Sequence, residues 1–166
     1  MEYRLRNWEI TDLESIIKHV NNFNVIRYQK DAFPHPYTIE DGIRWIEPVL
    51  NDNPVKSFAI EINGEIVGDI GITPQSDVYR KNAEIGYWLS EQYWGQGIMV
   101  RAVNEIVAYG FKTFDITRIY ARVYSMNTQS QRVLQKSGFV EEATFKNTIL
   151  KNGEYMDEIY YGIRRG

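Results

Sequence analysis

Cysteine is missing from this 166-residue chain, and with it go disulfides, thiolate-ligated zinc and a cysteine nucleophile. Histidine is scarce, with only two in the chain, His19 and His35. That is too little material for a histidine-rich metal site or a Ser–His–Asp triad. His19 falls in a helical pattern and His35 between two prolines, so both read as structural or surface positions, and no metal is expected. Positive charge is short as well: 19 Lys and Arg stand against 22 Asp and Glu, for a net charge of −3. The basic residues are scattered, so no field gathers nucleic acid. No stretch approaches the roughly 18 apolar residues of a membrane span, and Met1-Glu2-Tyr3-Arg4-Leu5-Arg6 lacks the apolar region of a secretion signal. A soluble, cytoplasmic protein is the expectation. What the chain does have is 43% apolar content over residues 1–166, which suits one domain with a sizeable core. Linkers, internal repeats and low-complexity segments are absent.

The most informative stretch is Gln92-Tyr93-Trp94-Gly95-Gln96-Gly97. It follows a strand-like run from Ala83 to Ser90 and opens a helix-like one from Ile98 to Phe111. Two glycines one residue apart let the backbone turn sharply and bring its N–H groups to a ligand with no Cβ in the way. The first N–H groups of the next helix lack intrahelical partners and carry the positive end of its dipole, so a diphosphate could be held without a lysine. Walker A is disfavoured because Ile98 and Met99 follow the last glycine, and the dinucleotide fingerprint because Ala102 comes too late after Gly95 and Gly97. An ordinary glycine-rich strand-to-helix turn can carry the same hexapeptide, so the rest of the chain has to decide.

Along the chain, Tyr3 to Arg6 reads as a first strand. Thr11 and Glu14 form a capping-box pattern for a helix from about Asp12 to Phe23, with Ile16, Ile17 and Val20 on one face. Thr38 to Asp41 caps a second helix through Ile43, Trp45 and Ile46, which Pro48 kinks or ends. Asn63-Gly64, between Ser57–Ile62 and Glu65–Thr73, is the preferred pair of a type I′ hairpin. Asn82 to Ser90 supplies a further strand. Beyond the glycines, Val103, Ile106, Val107, Gly110, Phe111 and Phe114 recur at spacings of three and four, giving one buried helical stripe. Thr117 to Tyr124 follows as a strand, parallel to the one before the glycines because a crossover helix joins them. Asn127 caps a fourth helix ended by Gly138. Phe139–Leu150 and Tyr155–Ile163, joined by Lys151-Asn152-Gly153, close the chain as a hairpin. The order is β-α-α-β-β-β-α-β-α-β-β.

Gln-x-x-Gly-x-Gly after a strand resembles the pyrophosphate loop of the GNAT family of N-acetyltransferases. Three further stretches extend the resemblance. Ala83-Glu84-Ile85-Gly86-Tyr87-Trp88-Leu89 is similar to the family's strand before that loop. Asn127-x-x-Ser130, followed by Lys136-Ser137-Gly138-Phe139, is similar to its second signature. Phe33-Pro34-His35-Pro36-Tyr37-Thr38-x-Glu40-Asp41 resembles the subgroup that includes ribosomal-protein alanine N-acetyltransferases. Together they span residues 1 to 163 in the right order. The resemblance implies an α/β (α+β) fold with a mixed, mainly antiparallel central sheet and helices on both faces.

It also implies an acetyl-CoA-dependent N-acetyltransferase acting on a primary amine, a protein N-terminus or a small molecule, as a monomer or homodimer. By resemblance, Tyr93, Trp94, Gly95, Gln96, Gly97, Ile98 and Met99 hold the pyrophosphate, with Gln92 and Gln96 shaping the loop. A gap between the strands at Glu84–Leu89 and Ile119–Tyr124 admits the pantetheine arm, and the main-chain N–H near Leu89 or Ser90 is the oxyanion donor. Glu84 matches a general base of histone-acetylating relatives, its alternative being a rim carboxylate paired with Arg or Lys. Asn127 and Ser130 touch the cofactor while capping their helix. Relatives carry a proton-donating tyrosine seven residues after that asparagine, where this chain has Leu134, so Ser130 becomes the substitute acid. The last-hairpin glutamate of the alanine-acetylating branch falls at Ile149. Tyr28, Phe33, Tyr37 and Trp45 belong either to the acceptor pocket or to the core. Without cysteine, direct attack by the amine is expected over an acyl-enzyme. A different class of function remains open beside this one, an acyl-CoA-binding regulatory domain of the same fold without chemistry.

Overall fold

The computed structural model describes all 166 residues and divides into two compact units, one comprising Met1–Gly71 and Tyr87–Ile98, the other Ile72–Gly86 and Met99–Gly166. In the first lie β1 (Arg4–Arg6), α1 (Leu13–Val20), α2 (Phe23–Ile26), α3 (Ile39–Leu50) and β2 (Ser57–Ile62), with most of β3 (Glu65–Pro74) and the end of β4 (Asn82–Leu89). In the second lie α4 (Ile98–Thr113), save its first residue, β5 (Arg118–Tyr124), α5 (Thr128–Lys136), β6 (Val140–Lys151) and β7 (Glu154–Arg164). The strands hydrogen-bond in the order β1-β2-β3-β4-β5-β7-β6. β4 and β5 are parallel, as a crossover through α4 requires, and the pairs β1–β2, β2–β3, β5–β7 and β7–β6 are antiparallel. The parallel ladder comprises Asn82↔Arg118, Ala83↔Ile119 and Glu84↔Tyr120, although β4 runs on to Leu89 and β5 to Tyr124.

Local chemistry explains the turns. Asn63 and Gly64 both take positive φ, 51° and 82°, and Asn152 and Gly153 repeat this at 52° and 79°, the backbone of a type I′ hairpin. The second hairpin is therefore tighter than the sequence suggests, because Lys151 belongs to β6 and pairs with Glu154. Thr38 accepts from the Asp41 N–H while the Asp41 carboxylate accepts from that of Thr38, a reciprocal cap on α3. Gly138, at φ 85°, follows the Ser137 C-cap of α5 as expected of a C′ residue.

Three expectations are corrected. Thr11 does not cap the first helix: the Asp12 carboxylate accepts the Glu9 N–H at the head of a short 3-10 turn, Ile10–Asp12, that leads into α1. Arg6 makes that choice by gripping both Asp12 oxygens while its Nε donates to Glu61 of β2. The first helix is also broken after Val20, where Asn22 caps the separate turn of α2 by accepting the Asn24 N–H. Finally, α3 passes through Pro48 to Leu50, with Asn51 and Asp52 donating to the carbonyls of Pro48 and Val49. Proline there removes one N–H without obstructing the residues that follow it.

The core of the first unit gathers Trp8, Leu13, Ile16, Val20, Tyr37, Ile46 and Ala59, with Phe33, Trp45 and Trp88 half-buried against it. Trp8 and Trp45 meet edge to face with ring centres 4.8 Å apart. In the second unit Ala102, Val103 and Ile106 of α4 are buried, along with Ile119, Leu134 and Tyr161. No helix is long and apolar enough to cross a membrane.

Candidate active site

The loop from Ser90 to Gly97 is braced at each step. A 3-10 turn over Glu91–Tyr93 is closed by the Tyr93 N–H donating to Ser90 and that of Trp94 to Glu91, each at 3.0 Å. The Trp94 indole N–H donates back to the Leu89 carbonyl at 2.7 Å, and the Gln96 side-chain amide to the Gln92 carbonyl at 3.0 Å. Glu91 fastens the loop from below, its two oxygens accepting from the side chains of Asn22 and Asn24 at 2.7 and 2.9 Å. Gly95 and Gly97 both sit at φ 73°, where an L side chain is strained. A Cβ built on either glycine meets no atom within 4 Å, so the surface they present is bare backbone facing open space. Ile98 and Met99 turn inward and are buried, anchoring the first turn of α4. The N–H groups of Tyr93 and Trp94, expected at the diphosphate, are thus committed to the 3-10 turn, and the bare backbone from Gly95 to Met99 at a helix N-terminus is the part suited to the diphosphate of a coenzyme A thioester.

The end of β4 divides the two proposed oxyanion donors. The Ser90 N–H donates to the Val67 carbonyl at 2.7 Å, so Ser90 is corrected: its amide is committed to the sheet. Gly68 allows this close approach, because a Cβ there would stand 2.6 Å from the Trp88 carbonyl oxygen.

Glu84 is not a free carboxylate. Arg122 grips it with a fork, Nε to Oε1 at 2.8 Å and Nη2 to Oε2 at 3.1 Å, and the Tyr120 hydroxyl stands 3.5 Å from Oε2. This pair holds the Arg122 proton more tightly than usual, and burial raises the Tyr120 phenol, with Glu84 adding to it. Of the two readings of Glu84, the ion pair is the one that the geometry realises.

At the start of α5 the Asn127 side chain accepts the Ser130 N–H at 3.2 Å, placing the half-buried Ser130 in the first turn. Leu134 is fully buried, so the position of the relatives' tyrosine is filled by core and offers no proton. Ile149 pairs with Met156 in the last hairpin. Tyr37 is buried, and Phe33 and Trp45 pack on the same core, so these aromatics serve the fold first. Tyr28 lies beneath the Arg27 guanidinium at 4.6 Å.

One group escaped the sequence reading. Asp69 stands in the apolar stretch Ile66-Val67-Gly68-Asp69-Ile70, bonded to Trp8 and Ser57, and burial pushes its carboxyl up to about 6 against the pull of those bonds. A lone acid between buried strand residues was the available signal. An open cavity of about 550 Å³, lined by Gly138, Val140, Glu142, Gly162, Ile163 and Arg164, contains none of the predicted site residues.

Fold and loop together have the form of a coenzyme A-dependent acyltransferase, and comparison with known proteins agrees. The acetyltransferase (GNAT) domain family matches residues 3–140. The chain belongs to the GNAT family and is an N-acetyltransferase. It is 29% identical over 161 residues to the uncharacterized N-acetyltransferase YnaD of Bacillus subtilis, covering 96% of this chain and 91% of that protein. The structure of ribosomal-protein-S5-alanine acetyltransferase from Vibrio fischeri superposes with a TM-score of 0.84 at 25% identity, covering 99% of this chain and 93% of that one. Spermidine N-acetyltransferase from Vibrio cholerae, solved with CoA and spermine, has the same fold at a TM-score of 0.82 and 24% identity, covering 98% and 95%.

Proposed function

We propose that the chain moves an acetyl group from acetyl-CoA to a primary amine by direct attack of the amine on the thioester. The observation that carries this reading is the pair of positive-φ glycines, Gly95 and Gly97, open to space at the head of α4. N–H groups from Gly95 to Met99, backed by the helix dipole, bind the diphosphate of the co-substrate, those of Tyr93 and Trp94 being held by Ser90 and Glu91. With the Ser90 amide turned to Val67, strand alternation turns that of Leu89 to the other edge of β4, where it serves as the oxyanion donor. Asn127 fixes the first turn of α5, and the Ser130 hydroxyl gives a proton to the departing thiolate. No cysteine is present to form an acyl-enzyme. The acceptors named for similar proteins, spermidine and a ribosomal-protein alanine, are both amines, so a peptide N-terminus or a small amine is the acceptor class here.

Release of free thiol from acetyl-CoA, measured across N-terminal-alanine peptides, polyamines, amino acids and aminoglycosides, tests the reading. At least one amine should raise release above the protein-free background. Tight acetyl-CoA binding by calorimetry with no thiol release from any amine would count against amine transfer.

A further inference from the structure

Asp69 lies opposite Ala59 in the β2–β3 ladder, and cross-strand partners share a face. Its side chain therefore rises on the side where Ala59 meets the core of Trp8, Tyr37 and Ile46. Oδ1 accepts two hydrogen bonds, from the Trp8 indole N–H at 3.2 Å and from the Ser57 hydroxyl. Oδ2 accepts none of the side-chain bonds, and Asp69 is half-buried, not sealed within the core. Other acids of this unit have basic partners: Asp12 has Arg6, Glu61 has Arg4 and Arg6, Glu65 has Lys18 and Asp41 has Arg44. No Lys, Arg or His touches Asp69. The titratable group facing it is Tyr37, whose phenol is pushed up to about 12 by burial first and by Asp41 next, while Arg44 pulls the other way. Trp8 and Ser57 do not titrate in this range. Trp45, Trp88 and Phe33 add half-buried rings on the same core, and aromatic faces attract cations.

An asparagine would satisfy Trp8 and Ser57 equally well. A carboxylate there is ionised at neutral pH against the desolvation that pushes it up to about 6, a strained state that calls for a cation. We propose that Asp69 is the carboxylate that receives the acceptor: Oδ2 takes a hydrogen bond from the incoming ammonium and then its proton. The assignment rests on the amine-transfer reading above. In the step, the ammonium becomes a neutral amine and Asp69 a carboxylic acid. The amine nitrogen then forms its bond to the acetyl carbon, the C–S bond breaks, and the thiolate leaves with a proton. Asp69 returns its own proton to solvent when product departs.

The test uses Asp69→Asn, which keeps an acceptor for Trp8 and Ser57. With whichever amine of the panel is acetylated fastest, kcat/KM at pH 7 should drop by about 10²–10⁴-fold, the range for loss of a general base. The fall expected of the wild type below pH about 6 should be absent from the variant, and activity should recover at high pH where the amine is already neutral. Acetyl-CoA affinity by calorimetry should not change. Trp8→Phe supplies a second arm. It keeps the carboxylate but removes a bond to its charged form, so the acid limb should move to higher pH. A wild type active on some amine, with Asp69→Asn equal to it across the pH range, overturns the assignment alone. The same holds for a limb that Trp8→Phe leaves in place. A wild type that acetylates no amine overturns the amine-transfer reading, and the assignment falls with it.

Discussion

Arg122 holds both carboxylate oxygens of Glu84, at 2.8 and 3.1 Å, across the two parallel strands β4 and β5. A carboxylate so committed is placed to join strands more than to abstract protons. Glu84→Gln preserves the volume and one acceptor. It should lower stability by about 1 kcal/mol, because the pair is partly exposed and such pairs are worth little more. Turnover at neutral pH should stay well short of the ~10²-fold loss that removal of a general base causes. Urea melts and a pH–rate profile check this, and a loss beyond that factor with a vanished pH limb would return Glu84 to the base role.

Gly97 sits at φ 73° with open space where a side chain would begin. Gly97→Val therefore fits sterically in the free protein but projects into the hollow and strains the backbone by about 1–3 kcal/mol. Acetyl-CoA affinity by calorimetry should fall at least tenfold with the circular dichroism unchanged. Retained affinity in the folded variant would remove the diphosphate from this loop.

Ser130 offers its N–H to the Asn127 cap, a bond that Ser130→Ala leaves intact. If its hydroxyl protonates the thiolate, the substitution should lower kcat more than it raises the KM for acetyl-CoA, since that interaction forms with the transition state. An increase confined to KM would make the hydroxyl a binding group.

Asp69 also bears on stability. Its folded pKa, about 6, lies above the ordinary 3.8, so folding favours the protonated acid. That contribution is complete below pH about 4 and is lost as pH rises through 6. A rise of about two units corresponds to about 3 kcal/mol at most, and the partial exposure of the carboxylate reduces it. Asp69→Asn should therefore be more stable than the wild type at pH 7.5, by less than about 3 kcal/mol, with the advantage shrinking at pH 4. Denaturant midpoints at the two pH values measure the difference. An advantage independent of pH would contradict a carboxyl raised by desolvation at this position.

The features legible in the sequence are those decided within a few residues. The Asn63-Gly64 turn, the Thr38–Asp41 cap, the Asn127 cap and the Gly138 terminator each depend on the φ that Asn and Gly tolerate, or on a side chain reaching an N–H three positions away. The glycine loop belongs with them in part, since the positive φ of Gly95 and Gly97 is a local preference, whereas Glu91 is held by Asn22 and Asn24 from 69 and 67 positions away. The Thr11 cap failed for the complementary reason: Arg6 selects Asp12, and Arg6 is placed by β1 pairing with β2.

By itself, then, the sequence determined the turns, the Thr38 and Asn127 caps, the order of the strands and the glycine-rich loop ahead of α4, because these arise from local dihedral preference and from apolar periodicity. Tertiary structure alone decided what the carboxylates do. Glu84 meets Arg122 across 38 positions, Asp69 meets Trp8 across 61, and the Ser90 amide is spent on Val67. Strand register brings such groups together, and register is set by which faces are buried, so no window of neighbouring residues carries it. Whether an acid is paired with a base or left without one is thus written in the pairing of strands, not in the run of residues around it.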